Sequence, residues 1–219
     1  MNEERDVPVW TLIKVPALIT LGITVLRLVG ELQHWSPVLF NPKAGGGGAL
    51  VGISWLPFIF GIYFAVKLLG LGFRPQGALR VFGWTLLAIA VVAASGGTLA
   101  AVHAGQSVQF VVMFIAFVIA AWIAYKGWPA LGKTLIAYAF AARIPVALVM
   151  LVAMLGEWGT HYDVAPPNFA ITNVWGKWFT IGFLPQLTLW IGITVIVGML
   201  VGALAVAVAG RKAATPATA

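Results

Sequence analysis

One stretch of this chain is incompatible with a soluble globular fold. From Val81 to Tyr125, 45 consecutive residues include no Asp, Glu, Lys or Arg, and only His103 and its polar neighbours interrupt the run. A transmembrane helix needs about 20 apolar residues, so this stretch predicts two membrane-spanning helices joined by a tight turn. Only 9% of the 219 residues are charged, whereas soluble domains have about a quarter. The sequence therefore predicts an integral membrane protein.

The remaining apolar runs extend this prediction to an all-α, polytopic protein with six transmembrane helices arranged as three hairpins. Long connectors follow the first and fifth helices, and residues 1–210 form one transmembrane domain, with 211–219 as a disordered tail. The uncharged run before Gly210 is too long for one crossing, so we expect its part before Pro185 to be interfacial or a partly buried outer portion. The predicted spans are 9–33, 49–73, 79–103, 108–126, 134–157 and 180–209.

The distribution of charge predicts the orientation of these helices. All three His, and every carboxylate beyond the N-terminal tail, lie on the side opposite to most Lys and Arg. Cytoplasmic loops carry the excess of Lys and Arg, so we expect both termini in the cytoplasm and the chain in the inner or plasma membrane. The basic residues are isolated, and therefore favour a topology signal over nucleic-acid binding. Nine of the thirteen lie on the predicted cytoplasmic side: Arg5, Lys14, Lys67, Arg74, Arg80, Lys126, Lys133, Arg211 and Lys212.

A weak internal repeat relates residues 9–73 to residues 134–209. Each segment has, in the same order, a β-branched residue before Pro, a Gly-Glu pair, a His and a Leu-Pro pair. Chance resemblance between apolar segments is the alternative, whereas a true pseudo-repeat is a known way of building transport folds around a central site. The matching positions are Val15-Pro16, Gly30-Glu31, His34 and Leu56-Pro57 in the first segment, and Ile144-Pro145, Gly156-Glu157, His161 and Leu184-Pro185 in the second.

Arg27, Glu31 and His34 are spaced by four and three residues, so they form one stripe at the outer end of the first predicted helix. One interpretation is an ion pair at the level of the lipid headgroups, with His34 as an interfacial residue. The functional interpretation is that the stripe lines an outer cavity. Glu31 and His34 would then bind a ligand or a metal, or transfer protons.

Arg143 lies about ten residues inside the fifth predicted span, where burying its charge costs several kcal/mol. No carboxylate is expected at the same depth. Its partner would then be a carbonyl freed at Pro145, a polar side chain such as Gln186 or Asn173, water, or an anionic ligand. The alternatives are that Arg143 extends to the interface, or that the helix begins near Pro145.

The four glycines Gly45–Gly48 precede the second predicted span and follow Lys43. Their backbone N–H groups could bind a phosphate or carboxylate at a helix N-terminus. The run lacks the Gly-Lys-Ser/Thr of a nucleotide-binding loop, and a flexible turn is the alternative.

Each predicted outer hairpin end carries one His, namely His34, His103 and His161. If they converge, three imidazoles could hold zinc, with Asp163, Glu31 or Glu157 as a further ligand or base. This would make the protein a metal-dependent, membrane-embedded hydrolase. No spacing matches an H-E-x-x-H helix, and the absence of cysteine excludes thiolate zinc and iron–sulfur sites. We therefore expect no cofactor.

Six spans, both termini inside and two long outer loops resemble the layout of the substrate-binding subunits of energy-coupling-factor transporters, although the small-residue pattern of their first helix is missing. We predict a non-enzymatic membrane protein that binds a small or lipidic anionic ligand in an outward-facing cavity, for transport or as a subunit of a transport complex. Its partners would be the bilayer, the ligand and, as a further candidate, other membrane subunits. A purely structural subunit of a larger assembly is another alternative. The residues expected to line the cavity are Arg27, Glu31, His34, Arg143 and His161.

Overall fold

The computed structural model describes residues 6–167 and 169–214, which form helices and no β-strand. This confirms the all-α prediction. A 3₁₀ turn at Ala44–Gly46 and a π-helical turn at Trp178–Phe183 accompany the α-helices. The α-helices are α1 (Val9–Leu32), α2 (Leu56–Gly70), α3 (Ala78–Ala101), α4 (Gln106–Tyr125), α5 (Pro129–Gly156), α6 (Val174–Lys177), α7 (Leu184–Leu187) and α8 (Leu189–Ala214). Residues 215–219 of the predicted tail lie outside the described part.

Five helical segments in the described residues are long and apolar enough to cross a membrane. Helix α2 is shorter, with 15 residues. These lengths and compositions are consistent with a helical membrane protein. The five long segments are Val9–Leu32, Ala78–Ala101, Ser107–Tyr125, Pro129–Gly156 and Val174–Ala209.

The predicted start of the second span, at residue 49, is wrong. Helix α2 begins at Leu56, and residues 49–55 are irregular. Pro57 lies in the first turn, where its missing N–H leaves no helical hydrogen bond unmade. Upstream, the Leu50 N–H donates to the carbonyl of Val38 in the same connector. Irregular backbone within a membrane is tolerated where it is buried in protein or lines a cavity.

Helix α5 is continuous from Pro129 to Gly156 and contains Pro145 in its interior. It therefore begins five residues before the predicted start at residue 134, and the alternative start near Pro145 is wrong. Arg143 is the fifteenth of the 28 residues of α5. Its charge thus lies at the middle of a long apolar helix.

The last helical region begins at Val174, before the predicted start at residue 180. The Asn173 side chain accepts a hydrogen bond from the Gly176 N–H and caps this start. The Trp178 indole donates to the Ala147 carbonyl of α5 over 2.8 Å, so the portion before Pro185 packs on that helix. At Thr188 the backbone leaves helical geometry (φ −122°, ψ −72°) before α8 begins.

Helix α8 is central to the bundle, since α2, α3, α4 and α5 all pack against it, while α1 packs against α5. The close approach of α2 and α5 to α8 depends on glycine. A Cβ at Gly61 would lie 2.7 Å from the Cα of Gly198. Gly198 and Gly202, one turn apart in α8, face Leu135 and Leu131 of α5.

Candidate functional site

A cavity of about 330 Å³ lies between α1, α5, the last helical region and both long connectors. Small-molecule sites in proteins have volumes of this order. The polar residues in its lining include Thr24, Arg27, Ser54, Arg143, His161, Tyr162 and Gln186, and Gly45–Gly48 also line it. Its apolar lining includes Ile23, Ile53, Val146, Met150, Ile181 and Trp190.

A buried charge cluster forms one wall of this cavity. In α1, Arg27 Nε donates to Glu31 Oε1 over 2.9 Å, because the two residues are one helical turn apart. The backbone N–H of His161 donates to Glu31 Oε2 over 2.8 Å. His161 Nδ1 also lies 2.6 Å from Glu31 Oε1. Glu31 therefore ties the connector after α5 to α1.

The second edge of the Arg27 guanidinium holds the connector between α1 and α2. Arg27 Nη2 donates to the Gly46 carbonyl over 2.9 Å and lies 3.4 Å from the Asn41 carbonyl. Gly46 has a φ of 58°, and a Cβ there would collide with the Arg27 guanidinium and the His161 ring. The glycine run is thus a fitted segment at this position, and Arg27 is largely occupied by structural contacts.

Arg143 has a different environment. Arg143 is 4% exposed, and its Nη1 donates to Gln186 Oε1 over 3.3 Å. The guanidinium carbon lies 4.5 Å from the centroid of the Trp190 ring, within range of a cation–π interaction. Arg143 has no carboxylate partner in the described part of the chain, and the Gln186 contact is its one hydrogen bond there. Most of the five guanidinium N–H donors are therefore open to a ligand or water.

The connector after α5 positions His161 by its own hydrogen bonds. The buried Asp163 carboxylate accepts from the N–H of Gly159, the N–H of Thr160 and the Thr160 hydroxyl. Tyr162 is buried and donates its hydroxyl to the Thr24 carbonyl of α1. Burial is the largest influence on His161 and lowers its pKa, Arg27 adds to this, and the Glu31 carboxylate opposes it. The net effect lowers the pKa, which favours a neutral imidazole.

The structure brings three of the five predicted site residues, Arg27, Arg143 and His161, to the same cavity. Glu31 lies behind the lining and contacts Arg27 and His161. His34 is exposed, has a φ of 50° and does not line the cavity. Helix α1 ends at Leu32, so the helical spacing that places His34 on the stripe does not continue to it. His161 takes the place beside Glu31 instead.

The three-histidine metal site is not assembled. His34 and His103 are exposed at the ends of α1 and α3. Within the described residues, no group of three His, Cys, Asp or Glu side chains could hold a metal ion. Asp163, the predicted further ligand, is instead occupied by donors of its own connector.

Sequence reasoning did not single out several residues of the cavity. Trp190 and Ile53 lie within apolar segments, and nothing in their local sequence separates them from lipid-facing neighbours. Tyr162 lies in the connector after α5, where only its two neighbours in the sequence were considered as candidates. Gln186 was named only as a candidate partner for Arg143, because it is polar within an uncharged run.

Two cationic side chains, Arg27 and Arg143, belong to residues that line the cavity. Glu31 pairs with Arg27, and the Asp163 carboxylate accepts from donors of its own connector, so neither carboxylate is in contact with Arg143. The charge of Arg143, in a partly apolar cavity, is suited to bind one negative charge. Comparisons with protein-family models, curated proteins and solved structures found no match for this chain. Chemistry of the cavity is accordingly the basis for assigning a function.

Proposed function

We propose that this chain is a membrane protein that binds a small anionic ligand in an outward-facing cavity, for transport or as the ligand-binding subunit of a transport complex. One observation carries the proposal. Arg143, in the middle of α5, is buried in the cavity wall and has no carboxylate partner among the described residues. A bound anion would supply the missing negative charge.

Arg27 provides an internal comparison for this interpretation. A structural arginine in an apolar bundle is expected to have its donors filled by carboxylate and carbonyl oxygens. Arg27 meets this expectation, with Glu31 on one edge and the Gly46 carbonyl on the other. Arg143 has a single 3.3 Å hydrogen bond to a neutral amide. Arginine stays protonated at physiological pH, so proton loss cannot relieve this imbalance.

The elements around the cavity also support ligand binding. The connectors 33–55 and 157–173 both contribute lining residues, and the positive-inside pattern predicts them on the outer side. Gln186 lies in α7, which is part of a discontinuous helix. A π-helical turn precedes α7, and the helix is broken at Thr188 after it. Such irregular helices often occur at binding sites in enzymes and transporters.

The test compares wild-type protein with the Arg143→Gln variant in detergent, by thermal unfolding with increasing concentrations of sodium iodide, acetate, benzoate or phosphate. A ligand that binds only the folded state raises the unfolding temperature. We expect at least one anion to raise the unfolding temperature of the wild type and to have no effect on Arg143→Gln. The matched control is Lys133→Gln, which removes an exposed charge from the same helix. Equal shifts in wild type and Arg143→Gln would refute an anion site at Arg143.

A further inference from the structure

The cavity wall beside Arg143 is apolar. Val146 and Met150 follow Arg143 on α5 by three and seven residues, so all three lie along one face of the helix. Ile181 and Ile53 contribute further apolar side chains from the π-helical turn and the connector before α2. A ligand seated on Arg143 would therefore meet hydrocarbon as it extends along α5.

The donors at Arg143 fit a planar, singly charged group. The guanidinium fork pairs with a carboxylate through two parallel hydrogen bonds. Gln186 accepts from Arg143, while its Nε2 lies 3.7 Å from the Met150 sulfur, a weak acceptor. The Gln186 amide therefore retains an N–H that can donate to an oxygen bound by Arg143. A dianion would bring one negative charge more than the single Arg143 guanidinium can pair with.

The size of the cavity limits the ligand. A volume of about 330 Å³ lies at the lower end of the range for small-molecule sites, about 300–1,000 Å³. A carboxylate on a six-membered ring, or on a short branched chain, fits this volume. The acyl chains of a phospholipid would have to remain outside.

We infer that the ligand is a small monocarboxylate with a compact apolar body, its carboxylate on Arg143 and Gln186 and its body against Val146, Met150 and Ile53. This inference rests on the proposed function and defines its substrate class. The guanidinium carbon of Arg143 lies 4.5 Å from the centroid of the Trp190 ring, and this contact limits the movement of the guanidinium.

The experiment uses four probes on the purified full-length protein in detergent. They are para-bromobenzoate, its neutral isostere para-bromobenzamide, acetate and inorganic phosphate, and their affinities are measured by calorimetry. We expect para-bromobenzoate to bind roughly tenfold or more tightly than each of the other three, because only it combines the charge with buried apolar atoms. In crystals, anomalous scattering should place the bromine near Met150 and away from Arg143.

Two variants test separately the contact of the ligand's carboxylate with Arg143 and the contact of its apolar body with Met150. Arg143→Gln should abolish binding of para-bromobenzoate and acetate alike. Met150→Ser should weaken para-bromobenzoate by roughly tenfold and leave acetate unchanged, because acetate does not reach that side chain. Bromine density beside Arg143 would overturn the inferred orientation.

The outcomes distinguish this inference from the proposed function. If acetate or phosphate binds the wild type as tightly as para-bromobenzoate, the apolar-body inference is wrong and the anion site stands. If a phospholipid co-purifies, occupies the cavity and competes with all four probes, the bound anion is a lipid phosphodiester. The inference of a monocarboxylate ligand is then wrong. If none of the anions binds to delipidated protein, the proposed function itself fails.

Discussion

The Glu31 carboxylate and the backbone N–H of His161 are joined by a 2.8 Å hydrogen bond across 130 positions of the sequence. The contact connects the end of α1 to the connector after α5, and both belong to the cavity wall. Because the Glu31 side chain has no exposed surface, this carboxylate holds two elements together without lining the cavity itself.

We predict that Glu31→Gln destabilises the protein strongly. The change leaves the Arg27 guanidinium buried without its counter-charge, which typically costs about 3–5 kcal/mol. The unfolding temperature in detergent should fall, while His34→Ala, an exposed change close to the end of the same helix, should leave it unchanged. The double variant Arg27→Gln with Glu31→Gln should recover part of the loss, and failure to recover any would argue against a charge imbalance as the cause.

The opposite effect is expected at Arg143. Arg143→Gln removes a buried charge that has no carboxylate partner in the described residues, so the ligand-free protein should become more stable. Arg27→Gln should lower the stability, because it strands Glu31. Both are measured as unfolding temperatures in anion-free buffer. A lower stability for Arg143→Gln would indicate a structural role for Arg143.

Gly46→Ala should destabilise the connector before α2 by roughly 1–3 kcal/mol. Gly46 has a φ of 58°, and an added Cβ would collide with the Arg27 guanidinium and the His161 ring. Gly47→Ala is the matched control, because Gly47 has a φ of −61° and open space at its Cβ position. Thermal unfolding and limited proteolysis of the connector measure the difference, and equal behaviour of the two variants would contradict a fitted glycine run.

Stability should decrease as the pH falls below about 6.5, the ordinary pKa of histidine. Burial lowers the pKa of His161 in the folded protein, with Arg27 acting in the same direction and Glu31 and Asp163 opposing it. Between the folded and unfolded pKa values the unfolded chain binds more protons, so acid favours unfolding in that window. As the pH falls through this window, the unfolding temperature of the wild type should decrease more than that of His161→Asn. His34→Asn, at an exposed position, should retain the wild-type pH profile.

The orientation of the bundle has a direct test, because the chain contains no cysteine. Lys43→Cys and Lys133→Cys place single thiols at exposed positions in the first connector and near the start of α5. The positive-inside pattern predicts that an impermeant maleimide labels position 43 but not position 133 in intact cells. Labelling of position 133 with protection of position 43 would invert the predicted topology.

The sequence is sufficient to predict the helical class and to direct attention to Arg143, because a lone charge in an apolar run is energetically conspicuous. It does not predict that residues 49–55 are irregular, since hydropathy reports composition and not conformation. The contacts of Glu31 show a second limit of prediction from sequence. Helical spacing points to His34, but α1 ends at Leu32 and the partner comes from a connector 130 residues away. Tertiary packing alone determines that pairing.

The short helix α2 leaves part of the cavity wall to irregular backbone. Its 15 residues span about 22 Å at 1.5 Å per residue, less than the roughly 30 Å of a hydrocarbon core. Gly52 and Ile53, shortly before α2, line the cavity, and within the described residues their N–H groups donate to no backbone carbonyl. Alanine scanning cannot detect such amides. Replacing single peptide bonds by esters would reveal them.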